Sequence, residues 1–203
     1  MAMAALVLAA VAAAPLSASA QTWVSLRSGA WEAFDGTSDD GRQVCGVSTS
    51  SRDGRRYFGI KYFDGSRSLV VHLMSDAWAI PDDTPVRVSL RFGDAAPWNT
   101  TAIGGRDLVE ARLSGSDNVR RFIGEFGSAR SGRIDFEGGK RPWAIGLDGS
   151  RPALEAMVQC MRRLVAASSG RGGGGGEQPH AQPHAQPHAQ PHAQREGGTK
   201  AFR

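Results

Sequence analysis

The sequence predicts a mainly β fold with one or two helices: an antiparallel β-sandwich or a barrel-like sheet, packed by a helix near the C-terminal end of the folded part. Three observations predict it. Short runs rich in Val, Ile, Leu and Phe recur between Gly, Asp, Ser and Pro clusters, as strands do between turns. Several of those runs alternate apolar and polar residues with period two. Two other segments switch to helical spacing.

Taken in order, the strand candidates are Gln43–Thr49 (QVCGVST), Arg56–Phe63 (RYFGIKYF), Leu69–Met74 (LVVHLM), Val86–Phe92 (VRVSLRF), Leu108–Leu113 (LVEARL), Arg133–Glu137 (RIDFE) and Trp143–Leu147 (WAIGL), about seven in all. In VRVSLRF, Val86, Val88, Leu90 and Phe92 share one face while Arg87, Ser89 and Arg91 face away, the pattern of a half-buried antiparallel strand. The FDGS stretch at 63 to 66 reads as a hairpin turn. Residues 21 to 40 read as a lead-in to the folded body.

The first helical segment is Asp117–Ala129, with Val119, Phe122, Ile123 and Phe126 at helical spacing and Ser116 or Asp117 as its N-cap. The second begins at Ser150 as N-cap, with Pro152 in the first turn. Leu154, Met157, Val158, Met161, Leu164 and Val165 form its apolar stripe, and Cys160 lies beside that stripe.

Beyond the body, residues 1 to 20 read as a secretory signal. An apolar run from Ala4 to Ala14 is followed by Pro15 and by the small triplet Ala18-Ser19-Ala20, with cleavage expected before Gln21. No Lys or Arg precedes the run. It is too short to span a bilayer, which takes roughly 20 apolar residues, and no later stretch reaches that length. The periplasm or the cell exterior is therefore the expected location. From Ser168 to Arg203 the composition changes to a Gly run and four PHAQ repeats, a low-complexity tail expected to be disordered. The globular domain is thus expected over residues 21 to 167.

Cys45 and Cys160 are the only cysteines. In an oxidising compartment an even count of two favours one bridge between them. Without a CxxC or a nearby His they offer zinc little. A catalytic thiol would need an activating base, and His72, the only histidine before the tail, has no supporting motif.

Motifs for chemistry are sparse. No GxxxxGK[ST], GxSxG or HExxH occurs, and Asp39-Asp40 and Asp82-Asp83 lack the spacing of a calcium loop. A non-catalytic binding protein is the expectation, acting on an unidentified protein or envelope component, with nucleic acid excluded by export and the oligomeric state left open. The net charge of +4 comes mostly from residues 120 to 167, where Arg120, Arg121, Arg130, Arg133, Lys140, Arg141, Arg151, Arg162 and Arg163 form either an anion-binding surface or a solvated face interleaved with acids. Among five tryptophans, Trp98 in DAAPWNTT is the candidate for an exposed contact. No cofactor is implied. The alternative reading is a periplasmic metal-binding protein whose His180, His184, His188 and His192 take zinc, nickel or copper. A proline in every repeat blocks a helix that would align them, and in an extended chain of about 3.1 Å per residue successive imidazoles lie roughly 12 Å apart. Any such binding is then weak and is lost near pH 6, as imidazole protonates.

Trp31 and Cys45, the strand repeats, the Trp-x-Ile-Pro turn at Trp78–Pro81 leading into VRVSLRF, and WAIGLDGSRPALEAMVQC together resemble the invasion-associated locus B family of small exported bacterial proteins. The resemblance covers residues 31 to 165. It implies a β-sandwich-like domain with an envelope or host-contact role and carries over no active-site residue. The chain departs from that family around GDAAPWNTT, where the usual middle cysteine pair is missing.

Overall fold

A computed structural model describes residues 20–138 and 141–171. Ten strands run β1 Gln21–Ser28, β2 Trp31–Thr37, β3 Gln43–Ser50, β4 Arg56–Phe63, β5 Ser68–Ser75, β6 Ile80–Phe92, β7 Trp98–Arg106, β8 Leu108–Ser114, β9 Ser131–Phe136 and β10 Trp143–Gly146, with α1 Ser116–Ser128 and α2 Ser150–Arg171. They form one sheet in the order β1-β2-β3-β4-β5-β8-β7-β6-β9-β10, antiparallel throughout. The first five strands are a plain meander. After β5 the chain moves outward to β6 and returns through β7, so that β8 pairs with β5 in a Greek-key step.

A ten-stranded twisted sheet curls unless something flattens it, and this one closes into a half-barrel, the barrel-like member of the two expected architectures. Its two ends meet at one rim. The Trp31 indole N–H donates to the Gly146 carbonyl at 3.0 Å, linking β2 to β10. Beside it the turn after β1 meets the turn before α2 backbone to backbone. Gly149, at φ +85, has no Cβ to keep it from the Ser28 carbonyl, where one would sit 2.5 Å away.

The concave face is the core. Phe58, Ile60 and Tyr62 of β4, Leu69, Val71 and Leu73 of β5, and Val109, Ala111 and Leu113 of β8 all point inward, as their period-two spacing requires. Helix α1 fills the trough with Phe122 and Phe126. The Phe126 ring lies 5.3 Å from Trp31 and from Phe92, in edge-to-face contacts, and Phe122 lies 5.2 Å from Phe92. Helix α2 lies over β1 to β3, burying Ala153, Leu154 and Met157. Cys160 on α2 is bonded to Cys45 on β3, with Cα atoms 5.9 Å apart. No helix among the described residues is long and apolar enough to cross a membrane.

Three strands lie where the sequence predicts none. The expected lead-in contains β1 and β2. Strand β7 takes in the end of DAAPWNTT from Trp98 onward, and its pattern is weak because its inward residues include Thr100 and Gly104 while Ile103 points out, half exposed. Helix α1 also starts differently. Gly115 is its N-cap, at φ +90, with no side-chain cap hydrogen bond, and neither Ser116 nor Asp117 takes that position. The Gly115 carbonyl accepts the Val119 N–H.

Candidate functional site: a groove on the convex face

The convex side of β2 to β5 carries an apolar layer of its own. Phe34, Val44 and Val70 are buried there, on the side away from the core. Phe34 lies flat across β3 because Gly46 leaves room for it: a Cβ there would sit 2.1 Å from the ring. Strand β1 is bent by a bulge between Val24 and Leu26. Its first residues press onto β2 at Gly36, where a Cβ would lie 2.1 Å from the Gln21 carbonyl.

These features leave a groove of about 770 Å³, within the usual size range of ligand sites. Phe34, Val44 and Phe63 form its apolar floor, Gln21 and Thr22 one wall and the turn at residues 37–42 the other. That turn is held by its own polar bonds. Asp40 takes the Arg42 guanidinium at 2.6 Å and the Ser38 hydroxyl at 2.6 Å, which hold its carboxyl down at about 2. Arg42 also lies over the Phe63 ring, 4.8 Å from its centroid.

Besides Asp39, Asp40 and Arg42 of the turn, the groove is lined by two ionisable side chains on adjacent strands, Lys61 of β4 and His72 of β5. His72 is 12% exposed, and its Nε2 lies 3.0 Å from a Glu110 oxygen, while Arg112 holds the other oxygen at 2.7 Å. Burial pushes the His72 pKa down, against the opposing pull of Glu110. The hydrogen bond from His72 in turn lowers the Glu110 carboxyl. Both directions fit a neutral imidazole donating Nε2–H to a carboxylate. Lys61 has no such partner. Burial lowers its pKa, and Glu110 and Asp39 act on it only through longer-range attraction. Among the described residues no carboxylate lies within ion-pair distance of it. An apolar trough whose ammonium has no carboxylate in direct contact suits a ligand with an apolar body and an anionic group.

Of the residues singled out by sequence, Cys45 and Cys160 are joined as expected. His180, His184, His188 and His192 lie outside the described residues, as do the expected signal segment before Ala20, Lys140 and most of the tail. Among the described residues no three His, Cys, Asp or Glu side chains group closely enough to hold a metal ion. Five of the basic residues of 120 to 167 pair with acids: Arg120 with Asp117, Arg121 with Glu125, Arg133 with Asp135, Arg151 with Glu155, and Arg163 with Asp35. Arg130, Arg141 and Arg162 make no ion pair among the described residues. Trp98 corrects another expectation. It is 8% exposed, packed on Phe122, with its indole N–H donated to Glu125 and Arg121 stacked 3.8 Å over the ring.

Lys61, Phe34, Arg42 and Glu110 went unnoticed in the sequence because they come from four separate strands or turns. A signal was there: Lys61 and His72 each interrupt an apolar run, RYFGIKYF and LVVHLM, at a position facing away from the core. No family model, no curated protein and no solved structure matches the chain.

Proposed function

We propose that this is a non-catalytic exported protein, periplasmic or secreted, that binds an envelope component having an apolar body and an anionic group in the convex-face groove. The observation that carries the reading is Lys61, an ammonium group set among Phe34, Val44 and Phe63 without a carboxylate partner. Burying such a charge costs stability, and a bound anion would offset that cost. Export is supported by the leader-like residues 1 to 20 and by a bridge of the kind that persists in oxidising compartments. The resemblance to the invasion-associated locus B family is in keeping with an envelope role.

The test uses cis-parinarate, a fluorescent fatty-acid anion. Its emission should rise on binding, and Lys61→Met should weaken binding at least about tenfold, the range of a charged hydrogen bond. Absence of binding, or equal binding by the variant, refutes the reading. For export, material recovered from the periplasm or medium should begin at Gln21.

A further inference from the structure

A second cleft lies on the seam of the half-barrel, where curling carries β10 round to face the start of β4. These strands are far apart in the sheet order and share no hydrogen bonds. The cleft encloses about 430 Å³ and is lined by Arg55, Arg56, Asp76, Trp78, Arg141 and Trp143, among others. Its base is an aromatic cluster. Trp78 and Trp143 stack at 5.1 Å with their planes 14° apart, and Phe136 meets each edge-to-face at 5.3 and 5.2 Å. Trp143 is buried, whereas Trp78 is only partly buried.

The charges around this base are unequally satisfied. Arg55 is paired with Asp76 at 3.0 Å. Asp53, the other acid in the lining, accepts the Ser51 hydroxyl and the Arg55 backbone N–H, which hold its carboxyl low. Arg56 has its guanidinium 5.6 Å from the Trp143 centroid, and neither it nor Arg141 has an ion-pair partner among the described residues. Two arginines thus flank a planar aromatic surface with donors to spare, the combination that recognises planar groups and oxyanions together.

We propose that this cleft is a binding site, separate from the groove, for a small planar anion: an aromatic or heteroaromatic ring carrying a phosphate, sulfonate or carboxylate. The ring lies against Trp78, and the anionic group is taken by Arg56 and Arg141. Both arginines are exposed; Arg56 meets the core only where its guanidinium lies over Trp143, so exchange of either for glutamine leaves the apolar packing in place.

Calorimetric titration of the full chain with phenyl phosphate tests the assignment, with inorganic phosphate and phenyltrimethylammonium as comparison probes. Phenyl phosphate should bind, at least about tenfold tighter than inorganic phosphate, and the cation should not bind. Arg56→Gln and Arg141→Gln should each weaken phenyl phosphate about tenfold, the loss of one charge-assisted hydrogen bond. Arg120→Gln, exposed on α1 and outside both the cleft and the groove, should leave it unchanged. The proposal is overturned by no heat with phenyl phosphate at millimolar concentration, by equal affinity for inorganic phosphate or the cation, by no effect of either arginine variant, or by an equal loss of binding in Arg120→Gln.

Discussion

Removing the Cys45–Cys160 bridge should be the most damaging single chemical change to this fold, and its size follows from the bridge's position. The bond spans 115 residues and encloses everything from β3 to the middle of α2. On the chain-entropy model, a loop of that length restricts the unfolded chain by about 4.8 kcal/mol at room temperature, comparable to the whole net stability of a small domain. Two perturbations separate the contributions. Reduction of the native protein keeps the sulfur volume and loses only the constraint. Cys45→Ala with Cys160→Ala also leaves space at two sites that are 0% and 7% exposed, adding about 1 kcal/mol or less per sulfur. Urea unfolding followed by tryptophan fluorescence should therefore show a loss of about 4 to 6 kcal/mol for the double variant. The m-value should rise because the opened unfolded chain exposes more surface. The thermal midpoint should fall by about 10 to 20 °C, at about 2 to 4 °C per kcal/mol for a domain of this size. Either single variant should come within about 1 kcal/mol of the double, since each alone breaks the bond and only one sulfur's packing is kept. A loss below about 2 kcal/mol with an unchanged m-value would refute the reasoning and show that packing on β1 to β3 alone holds α2.

Three further outcomes can be checked. His72 and Glu110 both have folded pKa values below their unfolded ones, so the unfolded chain binds more protons and stability must fall on acidification, first below about pH 6.5 through His72 and then below about pH 4.5 through Glu110. His72→Gln should flatten the thermal midpoint between about pH 7 and pH 5, and an unchanged slope would mean the imidazole titrates freely. Gly149→Ala should cost about 2 to 4 kcal/mol in urea unfolding, because it adds a left-handed penalty to a backbone clash with Ser28, whereas Gly54→Ala, also left-handed but in open space, should cost only about 1 to 2. In zinc calorimetry the full chain should show weak heats that fade near pH 6 and are missing from a chain ending at Arg171; identical traces would exclude His180, His184, His188 and His192 as ligands.

The sequence by itself determined the elements whose pattern is local and strong. VRVSLRF, RYFGIKYF and the stripe from Leu154 to Leu164 declare themselves because one face of each is apolar and the spacing is that of a strand or a helix. The bridge was equally legible, since two cysteines allow only one pairing. Strand β7 was not, because its inward positions hold Thr100 and Gly104 and its conspicuous Ile103 faces out. Strand β2 was hidden for the opposite reason: Trp31 and Ala33 face the core while Phe34 is buried on the convex side, so no alternation survives. Only the tertiary structure decided which residues meet. Lys61, Phe34 and Arg42 share a groove because β2, β3 and β4 pair in register and Gly46 lets a ring lie flat. Arg56 and Trp143 are brought together because the sheet's accumulated twist carries its far end round to β4. Periodicity reports which face of a strand is buried, but neighbours across a sheet are set by pairing order and curvature, which depend on the whole chain at once.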